Sequence, residues 1–206
     1  MHEYIKIILT CIAGLLSGIA LTCFKFWYEN RKKPGHSVDA DLDRRNKVKS
    51  FLHEVLSNYK PAHASCYLLH NGGTFFTGDH MQKIKLFEEE SRDRNVSRLR
   101  KDFDSVMIEG PLHWWIDTMR SGKDKEGAQE EFIFSKVEDI ANDEFRAMML
   151  HYRFFSQYAR LIRNSKTGNP VAIFVSSYDT PQEFNSADIY GLRTEAKLME
   201  KIILEK

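Results

Sequence analysis

Residues 156–206 read "SQYARLIRNSKTGNPVAIFVSSYDTPQEFNSADIYGLRTEAKLMEKIILEK", and this stretch decides the fold. Gln157 to Arg163 and Pro170 to Ser177 are two apolar runs of strand length, joined by "NSKTGN". A Gly-Asn turn signal between such runs predicts a β-hairpin. Phe184-Asn185-Ser186 then leads into a helical pattern with Ala187, Ile189, Leu192, Ala196, Met199 and Ile203 as its buried side.

Upstream, Val48, Phe51, Leu52, Val55, Leu56 and Tyr59 fall at helical spacing from Arg44 onward, and Pro61 ends that helix. A strand is predicted from about Ala64 to His70, and Lys83 to Glu90 reads as a charged edge strand or loop. Arg92 to Asp104 is densely charged and reads as a solvated segment, with a short strand over Ser105 to Glu109. Pro111 opens a helix that stops at Gly122. "EFIFSKVEDI" (131–140) reads as a strand, and Asn142 caps a helix through about Tyr152 with Phe145, Met148 and Met149 on its apolar side. Helix, strand, helices, strand pair and helix in that order mean an α/β (α+β) domain around a central antiparallel sheet flanked by helices.

That ending resembles the GAF family of sensor domains, whose fold class is shared with PAS modules. The likeness rests on strand, glycine turn, strand, a short "F-polar-x-x-D" connection and a long amphipathic helix. Phe184 and Asp188 stand where the family places its phenylalanine and acidic residue, and "KVEDIAND" (136–143) also resembles a family segment. Val171-Ala172-Ile173 departs from the family's glycine in the penultimate strand, though alanine keeps the position small. His70-Asn71-Gly72 is similar to the HNG sequence that ends the first strand in small membrane-tethered GAF-like proteins of bacteria and phages. The resemblance implies sensing or regulatory binding, with no particular ligand.

The chain has 206 residues and a net charge of +1, so neither a nucleic-acid-coating basic patch nor an acidic tail dominates it. Ile7 to Phe24 carries no charge and would span ~27 Å as a helix, close to a bilayer's hydrocarbon thickness. Trp27 and Tyr28 supply an interfacial pair. We therefore expect a transmembrane anchor over 1–28, a juxtamembrane linker over 29–43 and a GAF-like domain over 44–206. A cleaved signal peptide is the rival reading, with Gly18-Ile19-Ala20 as its cleavage site, but Glu3 in the leading region argues against it. Lys25, Arg31, Lys32 and Lys33 follow the span against Lys6 before it, which predicts a single-pass inner-membrane protein with a cytoplasmic C-terminal domain. Cys11 and Cys23 lie in the span, so Cys66 is the lone thiol of the domain, as suits a reducing compartment. Gly14 and Gly18 form a GxxxG pair that would let two anchor helices approach and form a homodimer.

The chain carries no GxxxxGK[ST], GxGxxG, HExxH or CxxC. His63, His70 and His80 lack the spacing of a metal site, so no metal is expected. Cys66 and His70, four apart on one strand face, would lie ~13 Å apart, too far for a direct dyad. The run "HNGGTFF" (70–76) has two readings. It is a strand exit, where Asn and Gly tolerate positive φ. Or it is a ligand loop, with His70, Asn71, Gly72 and Gly73 offering polar and backbone groups and Phe75 an apolar wall. Trp114 and Trp115 diverge by about 100° on a helix, so one packs in the core and the other, Trp114 in the ligand reading, faces a pocket. "RDRNVSRLRK" (92–101) is diluted by neighbouring acids and reads as a solvated face, with no nucleic-acid partner expected.

The expected function is a membrane-anchored, cytoplasmic sensory module that binds a small ligand or a protein partner and catalyses nothing, its signal leaving through the anchor, dimer geometry or a separate protein. Its rivals are an interaction protein whose pocket is filled by its own side chains, and a small enzyme using His70 or Cys66.

Overall fold

A computed structural model describes residues 38–74, 80–92, 98–122 and 130–204. The chain divides into two compact units, 1–42 and 43–206. The expected membrane span, with Gly14 and Gly18, and the wall residue Phe75 lie outside the described residues. Among the described residues, no helix is long and apolar enough to cross a membrane.

The elements run α1 (Val38–Tyr59), β1 (His63–Thr74), β2 (His80–Ser91), α2 (Arg98–Asp102), β3 (Val106–Met107), α3 (Gly110–Ser121), β4 (Glu131–Phe134), a 3-10 turn (Val137–Asp139), α4 (Asp143–His151), β5 (Ser156–Arg163), β6 (Pro170–Tyr178) and α5 (Ser186–Leu204). The six strands form one sheet in the order β3-β2-β1-β6-β5-β4, with every neighbouring pair antiparallel.

The sheet is buried on both faces, and the two-residue period of each strand divides its side chains between two cores. Tyr67, Ile84, Leu86, Phe132, Phe134, Leu161, Ile173 and Val175 face α3 and α4, meeting Trp115, Ile116, Phe145 and Met149. Cys66, Phe87, Ile133, Tyr158, Ile162 and Phe174 face α1 and α5, meeting Phe51, Leu52, Val55, Leu192, Ala196 and Met199. Ala172, at the position where the GAF pattern places glycine, is fully buried in the second core.

Two glutamates show how charge is held inside this frame. Glu131 is fully buried on β4, where Arg193 of α5 grips both carboxylate oxygens at 2.7 Å and Arg160 and Tyr158 of β5 reach Oε1 at 2.5 and 3.2 Å. This cluster ties the closing helix to the edge of the sheet. Glu88 is held by Arg45 at 2.7 Å and Arg100 at 3.2 Å.

The structure revises several boundaries. Helix α1 starts at Val38, inside the stretch read as linker. β4 has four residues, because the chain turns into the 3-10 segment at Val137 instead of continuing as strand. Arg98 to Asp102 is a helix, and Leu99 and Phe103 are buried within the segment read as solvated. Ala187, placed on the buried side of α5, is exposed, since it lies in the first turn before the helix meets the sheet.

The larger revision concerns His70 to Gly73. These residues are neither turn nor loop but the far half of β1, paired with β2 as His70↔Lys83, Asn71↔Gln82 and Gly73↔Met81. The register shifts between Asn71 and Gly73, so Gly72 falls in a β-bulge, which glycine accommodates without steric cost.

A candidate ligand cleft around His63

The opposite end of β1 carries a cleft. There the start of β1, the end of β2, Asp179 beyond β6 and the α4–β5 connection enclose a cavity of about 490 Å³. That volume is within the range of small-molecule sites.

His63 is its buried polar group, 5% exposed. Its Nε2 lies 2.9 Å from Oε2 of Glu89, and a carboxylate can only accept, so Nε2 carries the hydrogen. Arg100 supports the same carboxylate from 3.5 Å. In the neutral ring this arrangement leaves Nδ1 an acceptor, and Nδ1 is buried with no hydrogen-bond partner. The ring leans on Phe154, 5.8 Å away.

The wall facing His63 is made by the way α4 ends. The Phe154 N–H donates to the Met149 carbonyl at 2.9 Å, and the Arg153 N–H donates to the Leu150 carbonyl at 3.1 Å. This is a Schellman stop, which places residue 153 in the left-handed region, at φ 59°. Glycine takes that conformation freely, whereas a side chain there costs about 1 kcal/mol. Arg153 nonetheless lines the cleft, exposed, and makes no side-chain hydrogen bond or ion pair with a described residue. At the rim, Arg92 and Asp179 pair at 2.7 Å, both about half exposed, which closes the outer edge without contributing much stability.

The apolar floor is shared with the interior. Leu99, Tyr152 and Phe154 line the cleft and also a residual cavity of about 20 Å³ between the sheet and helices α3 and α4. Aromatic side chains fill most of that interior. Trp115 stacks on Phe145 at 5.6 Å, Tyr67 meets Phe103 edge-on at 5.4 Å, and Tyr152 donates to Asp102 at 3.0 Å. Burial pushes the Tyr67 and Tyr152 hydroxyls well above their ordinary range. What remains has room for about one water. Trp115 Nε1 and Gln157 Oε1, which both belong to residues lining it, are buried without partners.

Among the described residues, those singled out from the sequence are not brought together here. His70 is exposed on the far half of β1, and Asn71, Gly72 and Gly73 follow it there. Trp114 is half-buried, packed against Phe132 and Phe145 at 5.6 and 5.4 Å, and its neighbour Trp115 is the tryptophan at the inner cavity. Cys66 points into the α1–α5 core, fully buried, and burial followed by the charge of Glu88 pushes its thiol up to about 12. A thiol held protonated there is no nucleophile at neutral pH. Among the described residues, no group of three or more His, Cys, Asp or Glu side chains converges on a metal position. Sequence reasoning weighed His63 only as a metal ligand and passed over Arg153. Nothing local marks either, because the cleft forms only when residues some ninety positions apart are folded together.

No family model and no curated protein sequence matches the chain. Solved structures do. The phycoerythrobilin-bound GAF domain from a cyanobacterial phytochrome is 9% identical, with 79% of this chain and 86% of that one covered and a TM-score of 0.57. A far-red cyanobacteriochrome photoreceptor is 13% identical, with 91% and 100% covered and a TM-score of 0.56. The type II free methionine-R-sulfoxide reductase from Thermoplasma acidophilum is 14% identical, with 80% and 95% covered and a TM-score of 0.52. The fold is that of a GAF domain.

Proposed function

We propose that the chain is a membrane-tethered GAF-fold sensory module that binds a small molecule in the cleft around His63 and catalyses no reaction. The observation that carries this reading is the cleft itself. It has a volume suited to a ligand and holds a buried histidine whose Nδ1 is without a partner, and buried polar atoms are ordinarily satisfied. The pigment-binding neighbours support a binding role, since the same fold holds a ligand in them. One of the neighbours is a reductase. Against catalysis here stands the buried, protonated Cys66. The anchor over 1–28 and the cytoplasmic placement of the domain rest on the uncharged run and its basic flank.

A specific observation favours a second reading. The interior between the sheet and α3–α4 is filled by Tyr67, Trp115 and Phe145, which suits a module that docks a protein partner and holds no ligand. Native mass spectrometry of the full chain, released gently from detergent micelles, separates the two. A reproducible added mass, lost in the cleft-filling variant Ser91→Trp and retained in His70→Ala, supports the cleft. An added mass lost in His70→Ala alone would move the site to the bulged end of β1. A clean apo mass under all conditions would favour the partner-docking module.

A further inference from the structure

Among the described residues that line the cleft, one full charge stands without a partner, and this selects a chemical class of ligand. Its acidic rim residue, Asp179, is engaged by Arg92 at 2.7 Å. Of the nearby acids, Glu89 is engaged by His63 at 2.9 Å and by Arg100 at 3.5 Å, and Asp102 accepts from the Tyr152 hydroxyl at 3.0 Å. Among the described lining residues, Arg153 is the full charge without a partner, with His151 beside it. A guanidinium is always charged and presents a planar fork matched to two oxygens of a carboxylate or phosphate. It is carried here on a backbone position where glycine would be the unstrained choice.

We propose that Arg153 is the anion anchor of this cleft, and that the ligand is a small organic oxyanion with an apolar body and one hydrogen-bond donor. The oxyanion pairs with Arg153. The body lies on Tyr152, Phe154 and Phe155. The donor meets Nδ1 of His63, which in the neutral ring is a buried acceptor without a partner. This inference rests on the cleft being the ligand site, and the test is chosen so that the two can fail separately.

The strain at Arg153 makes the key variant safe for folding. Arg153→Gly removes the guanidinium and relaxes the left-handed position, so its melting temperature is expected to stay level or rise by a few degrees. The full chain in detergent micelles is titrated calorimetrically with 4-hydroxybenzoate, phenyl phosphate and phenol, in wild type, Arg153→Gly, Arg153→Lys and Ser91→Trp. At least one of the two anions is expected to bind wild type at least about tenfold tighter than phenol, and to weaken at high salt. Arg153→Gly should erase that tenfold advantage and leave phenol within about twofold. Arg153→Lys should restore part of it, because it returns a charge without the fork. Ser91→Trp should abolish binding of all three. Anions that bind no tighter than phenol, or that bind Arg153→Gly as they bind wild type, would overturn the role of Arg153 and leave the cleft in place. If none of the three probes binds, and any added ligand mass persists in Ser91→Trp, the anchor and the cleft fall together.

Discussion

Cys66 shows how far one buried side chain can constrain function. It has no exposed surface, and desolvation, then the neighbouring Glu88 charge, lifts its thiol from 9.0 to about 12. An acid whose folded pKa is raised contributes its full stability below the unfolded value. That contribution is lost as pH rises through the folded one. For Cys66 the window runs from about pH 9 to about pH 12, with a loss of about 1.4 kcal/mol per pH unit within it. The buried hydroxyls of Tyr67, Tyr158 and Tyr178 are raised as well, so they add to the slope at its upper end. Urea unfolding of a chain with Cys11 and Cys23 replaced by serine should therefore lose stability steeply above pH 9, and Cys66→Ala should flatten the first part of that loss. In the same background the native thiol should resist a disulfide reagent at pH 8 and react after unfolding. Fast labelling of the folded protein would show that Cys66 is reachable and reopen the enzymatic reading. At this scale the sequence was a partial guide. The separation of Cys66 from His70 follows from strand geometry alone, but the roles of Trp114 and Trp115 depend on where α3 lands. The pairing of His63 with Glu89 depends on a register that β2 supplies.

Elements were legible where their signals are local. Asn185 accepts from the backbone N–H groups of Ala187 and Asp188 at 2.8 and 2.9 Å, and Asp188 accepts from Asn185 at 3.1 Å. This reciprocal cap gives a physical reason for the Phe-polar-x-x-Asp pattern, with Phe184 packed on Tyr178 ahead of it. Asn142 likewise caps α4 by accepting from Phe145 at 2.7 Å. Non-local demands were illegible. The bulge at Gly72 exists only against the partner strand, and the glycine inside α5 makes sense only beside α1. A Cβ on Gly191 would stand 2.5 Å from the Tyr59 hydroxyl and 2.9 Å from its ring. Gly191→Ala should therefore lose about 1 kcal/mol or more, even though alanine favours helix by a similar amount. In a Tyr59→Ala background the same change should become stabilising. A double-mutant cycle of urea midpoints measures this. Equal effects in both backgrounds would mean that Tyr59 moves aside and that the contact does not set the approach of α1 to α5.

The described domain is a GAF fold whose interior is filled by its own side chains. The sheet, α3 and α4 enclose the space between them, and Trp115, Phe145, Tyr67 and Phe103 occupy it almost completely. The outer cleft shares its floor with this interior through Leu99, Tyr152 and Phe154, so the two volumes are neighbours. On this view the interior is a pocket already occupied by Trp115. Removing that indole should recreate a site of matching shape. Trp115→Ala should cost about 3–5 kcal/mol, the range for large buried aromatics cut to alanine. Added indole should then restore part of the loss, by RT ln(1 + [L]/Kd), with no comparable effect on wild type. Thermal unfolding with and without millimolar indole reads this directly. A saturable rise in Tm confined to the variant would mean that the walls hold their shape without the tryptophan and that the interior accepts indole in its place. No rise would mean that α3 and α4 collapse onto the sheet. The proposed cleft around His63 would then stand without a second site behind it.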